Sequence, residues 1–361
     1  MEDKDISRST LEVVMLESHR WNTLEVINPC FEFWRTLNLY HVGDRLDSLE
    51  RLVLLSDEDD EERLFDPGLY HVFQNAPKLH SVINNSHFTL IEASLPWGQL
   101  TEYRGLDLVP SRDHFHILHR SKNLERCYLA FQTHWFTMAH GLSLGTPMVL
   151  PNLTRLTTRW FFYDDGLSAL FRSLRLPALN HLSFLGGHYH WFDRELADLP
   201  FVLQSSGCQL ETLELSGAVG NTNGLSEVLA SVPAVTDLCL WVNPTSSAVH
   251  EVIISLLRIH GEGRLLLPKL NRLEFCILEP GDFHSVDLTA LAEILRWRWS
   301  HLPSNAYIQR LCITLCMEYV ERGEKRSLPP LLETLQEEGL EIVVRSIAGS
   351  DCSWETPLLT H

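Results

Sequence analysis

The decapeptide PALNHLSFLG, Pro177 to Gly186, decides how this chain is read. A proline is followed by Leu179, Leu182 and Phe184, so its apolar residues stand three and then two apart. The same phrase opens at Pro151, as PNLTRLTTRW. An apolar residue, two variable, an apolar residue, one variable, an apolar residue: this frame recurs along the chain. It is found at Leu49-Leu52-Leu54, Leu124-Cys127-Leu129, Leu179-Leu182-Phe184, Leu210-Leu213-Leu215, Val235-Leu238-Leu240, Leu270-Leu273-Phe275 and Ile308-Leu311-Ile313. Weaker copies begin at Trp21, Leu79, Leu100 and Leu153, and LEIVV from Leu340 reads as a terminal copy.

The eleven starts are spaced 21 to 38 residues apart, with a mean of about 29. Pro77, Pro151, Pro177, Pro233 and Pro268 each lie two residues before a start. Proline cannot continue a helix, so it ends a connector and hands the chain to a strand. The rest of each period reads as helix: Asp164–Leu176, Asn221–Val232, Thr245–His260 with a stop at Gly261, and Ser285–Trp299. Each opens with Asp, Asn, Thr or Ser, able to cap free amides, and then spaces apolar residues three and four apart.

One short strand and one helix per period predict an α/β fold, a leucine-rich-repeat solenoid. Its expected form is a curved horseshoe with a parallel concave sheet and convex helices. A single unit cannot bury its apolar face, so neighbours stack to close one continuous core. The expected organisation is an N-terminal capping helix over 1–20, about eleven or twelve irregular repeats over 21–345, and a tail over 346–361. An ordinary α/β domain is the competing fold, but its strands would be longer apolar runs without this fixed phase.

The bulk numbers narrow the function. The net charge is −18 over 361 residues, with 45% hydrophobic and 21% charged residues. Such a surface repels phosphate backbones and anionic lipid, which argues against nucleic-acid and membrane partners. The acidic run Asp57–Glu62 reads as a solvated loop. No stretch reaches the roughly 20 apolar residues of a spanning helix, and no secretory leader is evident at the N-terminus. Eight cysteines without paired spacing suit reduced thiols, hence an intracellular protein, cytoplasmic or nuclear. The sequons at Asn84 and Asn152 then read as chance.

SHRW (Ser18–Trp21), NAPKLHSV (Asn75–Val82) and LPNLTRL (Leu150–Leu156) carry a resemblance. The chain resembles the leucine-rich-repeat region of fungal F-box proteins, over essentially its whole length. The resemblance implies a protein-recognition role of the ubiquitin-ligase substrate-receptor kind. The F-box itself, which grips a Skp-type adaptor, has no counterpart in the twenty residues before the first repeat, so capture of that adaptor is not expected.

Catalytic motifs are thin. Gly141-Leu142-Ser143-Leu144-Gly145 matches the nucleophile elbow, yet Pro147 and Pro151 follow where that motif needs a helix. His188 and His190, with Asp193, could supply three metal ligands from one loop, but nothing fixes their geometry. His114 and His116 lie in a stretch read as helix, where a spacing of two splays the rings apart. The expectation is therefore no enzyme, no cofactor and no metal, with a hydrolase or metal enzyme at Ser143 or His188/His190, or a scaffold with no dedicated partner, as alternatives.

The expected functional element is a surface that binds a protein partner of unknown identity. Strand positions between the ladder residues face outward, which gathers Arg126, Tyr128, Arg155, Arg159, His181, Trp241, Arg272 and Arg310 on the concave face. Arginine suits carboxylate recognition. Glu214, Asp237 and Glu274 lie on the same face and could instead neutralise those arginines. Aromatic segments follow three successive strands, and Trp135, Trp160, Tyr163, His190 and Trp191 are expected on a partly exposed rim.

Overall fold

The computed structural model describes residues 8–27, 42–55, 69–85, 94–109, 111–131, 147–160, 165–186, 193–216, 222–242, 259–260, 264–277, 288–301, 308–317 and 330–348. It divides into two compact units, Met1–Ala178 and Leu179–His361. The first carries strands β1 (Thr23–Ile27), β2 (Arg51–Leu55), β3 (Ser81–Asn85), β4 (Glu102–Val109), β5 (Arg126–Phe131) and β6 (Arg155–Trp160). They pair in chain order and are parallel throughout. The second carries β7 (His181–Gly186), β8 (Thr212–Ser216), β9 (Asp237–Val242), β10 (Arg272–Ile277), β11 (Arg310–Met317) and β12 (Glu341–Ala348), again parallel and in order. Within each unit the strands stack one period at a time, each beside its predecessor, and this makes the fold a leucine-rich-repeat solenoid.

The register follows the apolar frame residue for residue. Leu182, Leu213, Leu238, Leu273 and Leu311 stand opposite one another on successive strands. Phe184, Leu215, Leu240, Phe275 and Ile313 form a second row two residues on. Both rows are buried. The residue after each frame start joins the repeats through backbone bonds. Asn22 O accepts from the amides of Glu50 and Arg51, Glu50 O from His80 and Ser81, and His80 O from Thr101 and Glu102, at 2.8–3.2 Å. In the second unit Asn180, Glu211, Thr236 and Asn271 do the same. One carbonyl thus holds two consecutive amides of the next repeat, which locks the register.

The prolines have a more specific task than ending helices. Pro77, Pro151, Pro233 and Pro268 each take the second position of a turn. The amide of the frame's first residue (Leu79, Leu153, Val235 or Leu270) closes it on the carbonyl three residues back, at 3.2–3.4 Å. A ring-locked φ near −65° is preset for that position. Leu49, Leu100 and Leu124 close the same turn without proline.

Helices span Arg8–Leu16, Leu69–Val72, Ser111–Arg120, Asp165–Ser173, Asp193–Ser206, Thr222–Ser231, Leu288–His301 and Pro330–Glu337. Within the first unit Ser111–Arg120 neighbours Asp165–Ser173; within the second, Asp193–Ser206 neighbours Thr222–Ser231. Leu170, Phe171, Leu225, Val228 and Leu229 are buried, the apolar stripe that periodicity demands. Three of the four expected helices sit where anticipated, as Asp165–Ser173, Thr222–Ser231 and Leu288–His301. The fourth differs: Ile259–His260 pairs antiparallel with Arg264–Leu265 instead of ending a helix, and 243–258 lie outside the described residues. A two-residue strand pairing there spends the backbone bonds a last helical turn would need. Among the described residues no helix is long and apolar enough to cross a membrane.

Candidate functional site: the outward face of the sheet

Positions between the buried rows point away from the core, because side chains alternate along a strand. In the first unit, the register sets Arg51, Ser81, Glu102, Arg126 and Arg155 side by side. Arg126 stands directly opposite Arg155, and both are exposed. Glu102 bonds Arg104 at 2.8 Å and lies 3.4 Å from Arg126, and it accepts from Ser81 Oγ at 3.1 Å. Burial alone would raise the Glu102 carboxyl, but Arg104 and then Arg126 outweigh it and hold the carboxyl below its ordinary range. Arg159, half-buried, is four residues along the β6 strand from Arg155 and on the same face.

Two expected surface residues are packing instead. Tyr128 retains 4% of its surface exposed and Trp160 likewise 4%. Tyr128 is flanked by Arg104 and Thr157 on the neighbouring strands. Large rings on a sheet gain most from burial, and these two have taken it. Trp135, Tyr163, His190 and Trp191 lie outside the described residues, as do Ser143, His188 and the 57–62 run.

In the second unit the outward face carries a bonded polar chain. His181 Nε2 lies 3.2 Å from Ser183 Oγ, and Ser183 Oγ donates to Glu214 Oε2 at 2.6 Å. Trp241 Nε1 donates to Glu214 Oε1 at 2.9 Å. Arg272 stands directly opposite Arg310. Arg272 donates to Glu274 Oε2 at 2.6 Å, and Arg310 Nε lies 3.5 Å from Glu341. His181, Trp241, Arg272 and Arg310 are all half-buried. Arg104, Arg126, Arg272 and Arg310 thus each have a carboxylate at hand.

Sequence reasoning passed over one group on this face. Cys239 is opposite Glu274, and Cys276 is opposite Trp241. The Cys239 and Cys276 sulfurs are 3.9 Å apart, and Cys276 Sγ is 3.9 Å from Glu274 Oε1. The hydrogen bond to Cys276, then burial, then the carboxylates of Glu214 and Glu274 push the Cys239 thiol well up. The signal was present but needs the frames superposed: VTDLCLW and LNRLEFC place Cys239, Glu274 and Cys276 one and three positions after their ladder leucines.

The His114/His116 pair does not converge. His114 is fully buried, and its Nε2 donates to Ala130 O at 2.6 Å. Its ring meets Phe131 edge-on with centroids 4.7 Å apart. Burial pushes its pKa down to about 4, so the ring is neutral near pH 7. It is a core residue that fills the space above Gly105.

No protein-family model matches this chain, and no curated protein matches it. Among the solved structures that match is one described as the crystal structure of a TLR13–ssRNA13 complex. It is 14% identical, with a TM-score of 0.32, over 81% of this chain and 35% of that one. This chain therefore spans about a third of that protein's length. The fold assignment rests on strand order and register.

Proposed function

We propose that this chain is a non-enzymatic protein-recognition module that takes a carboxylate-bearing partner segment on the outward face of its sheet. The observation that carries this is Arg126 facing Arg155 across adjacent strands, both exposed. Like charges directly opposite each other weaken a sheet. Glu102 offsets the charge of Arg126 from one side, and a ligand carboxylate over the Arg126–Arg155 pair would offset the repulsion that remains. Arginine forks bind carboxylates through paired hydrogen bonds. In the first unit Arg126, Arg155 and Arg159 are the assigned anchors. In the second His181, Trp241, Arg272 and Arg310 are. Trp135, Tyr163, His190 and Trp191 are retained as rim candidates, whereas Tyr128 and Trp160 act in packing.

The finer reading is an intracellular substrate receptor of F-box descent, with a cap over 1–20, repeats over 21–345 and a tail beyond. Pull-down with a Skp-type adaptor is expected to give no capture, and stoichiometric capture would overturn that part alone. The recognition claim is tested by cross-linking mass spectrometry in cells, comparing the wild type with an Arg126→Glu/Arg155→Glu variant whose circular dichroism is unchanged. The reading expects a defined acidic partner to be lost in the variant. An unchanged partner list contradicts it and favours a scaffold without a dedicated partner.

A further inference from the structure

The sulfurs of Cys239 and Cys276, with Glu274 Oε1, are spaced as the ligands of one metal ion. We propose that these three side chains form a site for a thiophilic divalent transition ion of the zinc class on the outward face of the second unit. The inference stands on this cluster's geometry and is independent of the partner-recognition reading.

The distances carry it. Two thiolates bound at about 2.3 Å to one tetrahedral ion stand about 3.8 Å apart. The two sulfurs are 3.9 Å apart, and the three ligand atoms all lie within 4.8 Å of one another. Among the described residues this is the one grouping of three or more potential ligands so placed. The backbone fixes it: adjacent strands β9 and β10 hold Cys239 opposite Glu274, and Cys276 two residues further along the same face. No loop has to close to assemble it.

The surroundings fit a cation. Arg272 occupies Glu274 Oε2 at 2.6 Å and leaves Oε1 turned toward the cysteines. A ligating carboxylate is ordinarily oriented by such an outer hydrogen bond. Glu214, opposite Cys239 on β8, adds a second negative charge, and its two oxygens are held in place by Ser183 and Trp241. Two thiolates and a carboxylate select zinc-like ions over calcium or magnesium, which prefer oxygen. Cys239 and Glu274 are half-buried, which leaves the fourth position for water from the outward side. On binding, each thiol gives its proton to solvent.

Cobalt(II) is the probe, because sulfur-to-cobalt charge-transfer bands report thiolate ligation. The full chain, reduced and stripped of metal, is titrated anaerobically. The expected result is one equivalent bound, with intense near-ultraviolet charge-transfer bands and a raised melting temperature. Zinc should then displace the cobalt and bleach the spectrum. Cys239→Ser and Cys276→Ser should each remove the two-thiolate spectrum and the thermal shift. Glu274→Gln should keep the bands and weaken affinity at least tenfold. Cys208→Ser, a cysteine elsewhere in the same unit, should change nothing. Absence of the bands in folded wild-type protein at saturating cobalt overturns the proposal. So does survival of the bands and the shift in both serine variants, or a disulfide between Cys239 and Cys276 that forms in air and is not prevented by bound zinc.

Discussion

His114 lies on the core side of the sheet, where the ladder loses its leucines. The second buried row of the first unit runs Leu54, Asn84, Gly105, Leu129 and Thr158. At Gly105 an added Cβ would come 2.8 Å from Tyr103 Oη and 3.1 Å from the His114 ring. Gly105→Ala should therefore cost about 1–3 kcal/mol, the range for overpacking a filled core. Tyr103→Phe in the same background should recover part of it, by removing the nearer atom. Urea titration of the single and double variants reads both. The histidine also sets a pH dependence. Its folded pKa is about 4, below the ordinary value near 6.5. Below pH 6.5 the unfolded chain takes up a proton that the folded chain refuses. Stability should then fall as pH drops from about 6.5 to about 4, by up to roughly 3 kcal/mol from this residue. Unfolding free energies measured across that window should show a shallower slope in His114→Gln. An unchanged slope would mean that the ring titrates as if exposed.

At the scale of the element, one repeat consists of a turn, a strand and a helix, and its stability depends on having neighbours. Leu213 is buried between Leu182 and Leu238 on both sides. Val344, opposite Ile313 on β12, has a partner strand on one side and is 51% exposed. Leu213→Ala should cost about 2–5 kcal/mol. Val344→Ala should cost well under about 1 kcal/mol, since it gives up little burial. Amide exchange should show the same gradient, slow in β8 and β9 and fast in β12. A second element-scale device joins a helix to a turn. Arg298, buried in the Leu288–His301 helix, donates Nη2 to Leu267 O at 2.9 Å, and that carbonyl also closes the Pro268 turn. Leu267 holds a φ of 51°, a left-handed value that leucine adopts at a cost. Burial lowers the Arg298 pKa to about 10, so its charge persists at neutral pH. Arg298→Met should thus shorten the lifetime of that turn, read as faster exchange at Leu270.

At the scale of the molecule, the strand ladder was legible because its period is written in leucine. All eleven frame starts precede a residue that joins the inter-repeat backbone bonds. The weak copies were harder for a physical reason. Asn84, Gly105 and Thr158 occupy apolar slots, and around Gly105 a histidine from the helix that follows β4 supplies the missing volume. The outward face was legible as a list of residues, since alternation alone names them. Which of them pair with carboxylates was not, because that depends on side-chain rotamers. The cysteine pair was less legible still: 37 residues separate Cys239 from Cys276, and only the register brings them together. In-register parallel stacking is the claim on which the recognition face and the metal site both depend. Pulsed electron resonance between spin labels at Thr212 and Glu341, four strand steps apart, tests it most directly. At about 4.8 Å per step the backbone positions should lie roughly 19 Å apart, with a narrow distribution. A separation beyond about 30 Å, or a broad spread, would contradict the account.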